Sequence, residues 1–297
     1  MVRPFLAIGA ADGATPEAPY QILPVPCEQT VTYGRGCARG PEAILAASAE
    51  VELFDEELEC EPYHAGVGTL DPLPVEGEGP ESVVTRLESH LAPHVSAGRT
   101  VITLGGEHSI TAGPVRAYQK RYPDLSVLQI DAHADLRDGY QGHRYSHAAA
   151  MRRVRDTVAC TVGVGIRNLS TAEHEYAKST DGCHLFYSHQ RDPEGQWIQN
   201  AIDLLSPDVY VTIDLDGFDP SLVPCVGTPE PGGLSWEEVL SLLRRVTLRR
   251  NVVAADVVEL APCAGLHASD FIAARLVYKI IGYIERGRRS VRAEDRR

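Results

Sequence analysis

Short apolar runs alternate with amphipathic stretches along most of this chain. Six runs read as strands: Gln21–Val25, Val101–Leu104, Ser126–Ile130, Thr161–Ile166, Val209–Ile213 and Val252–Val258. They are rich in β-branched residues or leucine and do not alternate strictly between apolar and polar, the pattern of strands buried on both faces. Helices are expected between them. Pro41–Ala47 opens with proline at a first helical position. Glu81–Ser96 carries Val83, Val84, Leu87 and Leu91 at helical spacing. Ser235 and Glu238 form a capping box that opens Trp236–Arg249. Ser269–Arg286 places Ile272, Leu276, Ile280 and Ile284 on one face. Strand–helix alternation of this kind predicts an α/β fold: three layers, α-β-α, around a central, mainly parallel sheet. Ligands of such sheets bind beyond the carboxyl ends of the strands.

Four of the predicted strands end in residues with chemical capability. Val101–Leu104 runs into "GGEHS", with His108. Ser126–Ile130 runs into "DAHAD", with Asp131, His133 and Asp135 at every second position. Val209–Ile213 runs into "DLDGFDP", with Asp214, Asp216 and Asp219, and Val252–Val258 runs into Glu259. His147 follows in the loop "YSHAAAMRR". A lone histidine or a D-x-D pair is usually structural. Four carboxylates and two imidazoles at one sheet edge are different, because buried acids are costly unless something neutralises them. Divalent cations are the natural counter-charge. The set is too oxygen-rich for a structural zinc and has no thiolate. Six donors, some bridging, suit two ions that share carboxylates. Mn²⁺ fits this mixture best, with Fe²⁺, Co²⁺ or Mg²⁺ as substitutes.

Composition narrows the choice of partner. A formal charge of −13 over 297 residues excludes an ordinary nucleic-acid or anionic-membrane binder and favours cations. The basic end "RGRRSVRAEDRR" runs against that balance, and residues 287–297 are expected to form a flexible tail of a single domain spanning 1–297. Seven cysteines, an odd number with no C-x-x-C spacing, fit a cytoplasmic protein without a disulfide framework. No apolar run is long enough to span a membrane.

With these pieces assembled, the chain resembles the ureohydrolase (arginase and agmatinase) family. The likeness runs from "YGRGCARGPEAI" to the last helix and rests on "GGEHS", "QIDAHADLRD", "TIDLDGFDPS", "GTPEPGGLSW" and "DVVELAP". The stretch "DAHADLRDGYQGHRYSHAAAMRR" is similar to the agmatinase branch; the Ser/Asn-rich segment with which arginases grip an α-amino acid is not seen. The resemblance implies an arginase/deacetylase-like fold and two Mn²⁺ per subunit. His108, Asp131, Asp135 and Asp214 would hold one ion, and Asp131, His133, Asp214 and Asp216 the other, so Asp131 and Asp214 would bridge. His147 would act as proton shuttle, and Glu259 would grip the guanidinium through paired charge-assisted hydrogen bonds. Relatives form trimers or hexamers, so a homo-oligomer is expected. Two departures stand out. Glu107 replaces the usual Asp beside His108, a change that would touch the support of that histidine. Cys225 replaces a small residue, and a position at the pocket rim would make the enzyme thiol-sensitive.

The expected reaction is cleavage of agmatine to urea and putrescine. Aminopropylagmatine, guanidinobutyrate, formiminoglutamate and arginine are the alternatives within the same chemistry. An acidic substrate would want a basic pocket residue, for which Arg137, Arg144 and Arg167 are near enough in sequence. More distant alternatives are a one-zinc amide deacetylase of related fold and a homologue without catalysis. The full set of metal donors, with His147 and Glu259, argues against both.

Overall fold

The computed structural model describes residues 2–75, 77 and 79–294. Within them, eight strands form one parallel sheet. They are β1 (Tyr20–Val25), β2 (Val67–Thr69), β3 (Thr100–Gly105), β4 (Ser126–Ile130), β5 (Cys160–Ile166), β6 (Cys183–Tyr187), β7 (Asp208–Asp214) and β8 (Asn251–Val258). Their order across the sheet is β2-β1-β3-β8-β7-β4-β5-β6. Strands β3, β8, β7 and β4 are therefore neighbours at the centre, and all four carboxyl ends open on the same edge. Registry makes those ends level: Ile130 pairs with Ile213, Ile213 with Val257, and Val257 with Leu104.

The central strands are apolar on both faces because helices cover both. Helices α2 (Pro80–Ser96), α3 (Ala112–Gln119), α4 (Ala150–Arg155) and α5 (Thr171–Ser179) pack on one side. Helices α1 (Gly40–Ser48), α6 (Gln196–Asp203), α7 (Trp236–Arg249) and α8 (Ala268–Glu294) pack on the other. Side chains along one strand divide between the two cores: in β7, Val209, Val211 and Ile213 face one and Tyr210 the other.

All six expected strands are present, with ends shifted by at most one residue. Edge strands β2 and β6 were not expected: one has three residues, and the other is only half buried. Helices α3 to α6 were also missed. Helix α3 contains Gly113 and Pro114, and α4 has six residues, too few to show a period. Helix α5 carried a readable signal, a capping box of Ser170 and Glu173.

The last helix runs beyond the predicted Arg286, to Glu294. Gly287, the first residue of the expected tail, is buried, and a Cβ there would lie 2.0 Å from the Thr247 carbonyl oxygen. Arg288 donates to Thr100 Oγ1 at 2.6 Å. The start of the predicted tail is thus packed helix; residues 295–297 of it lie outside the described residues. Earlier in the same helix, Lys279 Nζ reaches Asp55 Oδ1 at 2.9 Å and Glu57 Oε2 at 3.2 Å, pinning the 53–60 loop. Among the described residues, no helix is long and apolar enough to cross a membrane.

The Lys279–Asp55 pair is almost fully buried, so removing Lys279 leaves Asp55 only the more distant Arg275, at 3.8 Å, as counter-charge. Lys279→Met should lower unfolding stability by about 3–5 kcal/mol. Urea denaturation checks this, and Lys279→Met combined with Asp55→Leu should recover much of the loss.

Candidate metal centre and pocket

The expected donors converge where β3, β7 and β4 end. Asp131 directly follows β4 and is still tied to the sheet, its amide donating to Val164 O at 3.1 Å. The chain then turns out of the strand. His133 N donates back to Asp131 Oδ1 at 2.6 Å, and Ala132 N donates to Asp216 Oδ1 at 3.1 Å. Asp135 sits in the left-handed region at φ +52°, which is uncommon for a residue with a side chain. The loop after β7 presses closely on this turn: a Cβ at Gly217 would lie 2.9 Å from Asp131 N. The alternating D-x-H-x-D pattern is therefore a strand end and a wrap, with its three side chains directed to a common region.

Two groups of potential metal donors result, and they share Asp131: His108, Asp131 and Asp135 in one, Asp131, His133 and Asp216 in the other. His108 Nδ1 lies 3.1 Å from Asp131 Oδ2, 3.1 Å from Asp135 Oδ2 and 3.4 Å from Asp214 Oδ2. His133 Nδ1 lies 2.9 Å from Asp216 Oδ2 and 3.7 Å from Asp131 Oδ1. Asp131 thus turns one oxygen to each histidine. Asp214 joins the His108 group through Oδ2, while its Oδ1 accepts the Asp216 amide at 2.9 Å.

The chemistry of the donors fits a cation. Thr212 Oγ1 donates to Asp256 Oδ1 at 2.6 Å, so it receives the proton of His108 Nε2 at 2.9 Å. That places the lone pair of His108 on Nδ1, which is buried and has no hydrogen-bond partner. A lone pair among three carboxylate oxygens is repulsive, and positive charge at their centre turns the repulsion into ligation. The titration behaviour points the same way. Burial opposes charging His108, yet the Asp131, Asp135 and Asp214 carboxylates around Nδ1 would accept from it once it is protonated, and they raise its proton affinity well above the ordinary imidazole range. His133, against the same opposition, is raised to about 12 by Asp216 and Asp131. Burial, with the charges of Asp216 and Asp131, raises Asp214 well above the usual carboxylate range. The site stabilises positive charge, whether a proton or a metal ion supplies it.

A cavity of about 160 Å³ opens above these groups, lined by His133, Asp135, Asp214, Asp216, His147 and Glu259 among others. Glu259 follows β8 at φ +67°, and its Oε1 accepts the His108 amide at 2.7 Å. Burial pushes its carboxyl up to about 8, opposed by the His108 amide and helped by the charge of Glu107. The structure therefore brings all eight sequence-predicted site residues to one cavity or its floor.

Other expectations resolve by position. Glu107 is fully buried and accepts from Gln29 N, Thr30 N, Thr30 Oγ1 and Ser109 Oγ, so it braces the 29–30 segment and the turn before His108. Cys225 does not line the pocket. It is buried in the core, its sulfur against Leu266 O at 3.7 Å. Asp219 ties its own loop to the amides of Ser221, Gly232 and Gly233. Arg167 donates to the carbonyls of Asp216, Phe218 and Glu230. Arg144 pairs with Asp156 outside the cavity. Arg137 lines the cavity beside Glu173, with its guanidinium over the Tyr140 ring at 5.0 Å. Sequence reasoning missed Thr30, Thr212 and Asp256. Asp256 had a signal, an acid inside the apolar run "VVAADVV"; the two threonines had none.

Two outcomes follow. Thr212→Val keeps the shape but removes the acceptor of His108, and should weaken Mn²⁺ affinity about 10–100-fold; competition with a chelating dye measures it. The raised pKa of His133 means that metal-free protein holds this proton through the neutral range and must release it on binding metal. Titration calorimetry in buffers of different ionisation enthalpy should show proton release, with affinity falling as pH falls.

Comparison with known proteins agrees with this geometry. Residues 18–282 match the family model of the Arginase family. An N(1)-aminopropylagmatine ureohydrolase of Synechocystis sp. is 40% identical over 274 residues, 90% of this chain and 89% of the relative. One of Thermus thermophilus is 41% identical over 278 residues, 93% of this chain and 94% of the relative. The crystal structure of agmatine ureohydrolase of Thermoplasma volcanium superposes with a TM-score of 0.81 at 31% identity, covering 94% of this chain and 95% of that one. The match spans the whole catalytic edge of the sheet, and on it the chain belongs to the arginase family of ureohydrolases, on the agmatinase-like branch.

Proposed function

We propose that this protein hydrolyses the guanidino group of a linear, cationic guanidino amine to urea and a free amine, using two Mn²⁺ ions. The observation that carries the reading is the pair of donor groups sharing Asp131 on the floor of a cavity walled by His147 and Glu259. His108, Asp131, Asp135 and Asp214 would hold one ion, and His133 and Asp216, with Asp131 and Asp214, the other. Bound there, such ions would supply an acidified water as the nucleophile.

The chain's own groups complete the reaction. A guanidinium carbon is a weak electrophile because its positive charge is delocalised, so it must be held in place for attack. Glu259 accepts N–H groups of the guanidinium and fixes the carbon over the floor. The docked cation also returns its raised carboxyl to the ionised form. Water oxygen adds to the carbon and gives up its protons, the C–N bond to the alkyl nitrogen breaks, and that nitrogen receives both protons, relayed from the water by His147, so that urea and an alkylammonium leave.

The cavity favours a cationic over an acidic substrate. Arg144 and Arg167 are committed to protein acceptors, and Arg137 stands between Glu173 and Tyr140. Two relatives at 40–41% identity carry the name N(1)-aminopropylagmatine ureohydrolase, which moves the preferred substrate from agmatine to its aminopropyl derivative. A homo-oligomer belongs to the same reading through the family resemblance. A cytoplasmic location is supported by seven unpaired cysteines.

The test is urea release by Mn²⁺-loaded protein, with aminopropylagmatine, agmatine, arginine and guanidinobutyrate compared side by side. Aminopropylagmatine should give the highest kcat/KM; preference for arginine or guanidinobutyrate would contradict the reading. His147→Ala should keep its metal yet lose about 10²–10⁴-fold in kcat. Metal content measured on the same sample separates loss of the shuttle from loss of the site.

A further inference from the structure

His147 reaches the cavity from a loop, and a histidine on a loop needs something to set its ring and its tautomer. Thr30 does both. Thr30 Oγ1 accepts the His147 amide at 3.0 Å and lies 3.0 Å from His147 Nδ1. The direction of that second contact is decided one residue further away. Glu107 is fully buried, and its oxygens receive four donors: Gln29 N at 2.7 Å, Thr30 N at 2.6 Å, Ser109 Oγ at 2.6 Å and Thr30 Oγ1 at 3.0 Å. Two backbone amides fill Oε2, and Oε1 takes the Ser109 and Thr30 hydroxyls, so the Thr30 hydroxyl spends its single proton on Glu107. Its lone pairs are then left for His147, and Nδ1 must be the donor.

We infer that Glu107 and Thr30 are positioning residues that hold His147 with its proton on Nδ1, leaving Nε2 to exchange protons with the reacting amine. This rests on the proposed reaction for its catalytic meaning, but the tautomer itself does not. The arrangement repeats the one beneath the metal centre, where Asp256 and Thr212 fix His108 with its proton on Nε2. In each case an acid orients a threonine hydroxyl, and the hydroxyl chooses which ring nitrogen is free. A further polar neighbour of His147 is Ser146, whose hydroxyl lies 3.4 Å from the same Nδ1; the Tyr140 ring stands edge-on with its centroid 6.2 Å away.

Nitrogen NMR of histidine-labelled, metal-loaded protein tests this, with His147→Ala identifying the signal. The wild type should show His147 protonated on Nδ1 alone when neutral. Thr30→Val should mix the tautomers and lower kcat about 10–100-fold with little change in KM or metal content. Thr30→Ser, which restores the hydroxyl, should recover both. Thr30→Val placed on His147→Ala should add no further loss in kcat, since a merely structural threonine would cost the same in either background. A wild-type signal protonated on Nε2, or a Thr30→Val protein with unchanged tautomer and kcat, overturns the inference. If wild type shows the Nδ1 tautomer but releases no urea from any guanidino amine, the positioning stands and the proposed reaction fails.

Discussion

Everything at this site depends on the burial of one carboxylate. Asp131 is wholly shielded from solvent at the end of a central strand, and its two oxygens look toward two different histidines. Burying an acid is costly unless donors or cations surround it. Gln129 Nε2 at 2.7 Å and the His133 amide at 2.6 Å supply donors. They do not balance Asp135, Asp214 and Asp216 close by. The remaining balance has to come from positive charge between the acids and the imidazoles. The parallel sheet makes this possible by bringing four strand ends to one level, and Gly217 makes room for the approach.

The second principle is orientation by relay. His108 and His147 each meet an acid–threonine pair, and in the proposed reading the pairs leave opposite ring nitrogens free. A threonine hydroxyl transmits direction because it has one proton to give. Some backbone strain lies beside the same groups: Asp135 and Glu259 are two of the six non-glycine residues at positive φ among the described residues. Such strain persists where surrounding contacts over-determine the geometry, and at Glu259 the bonds to Gly106 O and from His108 N do so.

The central strands and the donor positions were legible because each obeys a local rule. A doubly buried strand is a run of β-branched residues, and its polar end is where the chemistry must sit. The edge strands and short helices were not legible, because three residues of β2 or six of α4 carry too little periodicity. The tail was misjudged for a related reason: charge in "RGRRSVR" suggested solvent, whereas Gly287 and Arg288 are committed to contacts with Thr247 and Thr100 that lie far away in sequence. Thr30 was invisible for the same cause. Its proposed role arises only because folding brings it between Glu107 and His147, 77 and 117 residues along the chain.

The most direct test of the central claim is metal stoichiometry. Protein saturated with Mn²⁺, freed of excess and measured by elemental analysis against chain concentration should hold two ions per chain, and Asp131→Ala should retain neither at full occupancy. One ion per chain, or a preference for a single Zn²⁺ with the His133 group left empty, would contradict a paired site built around Asp131.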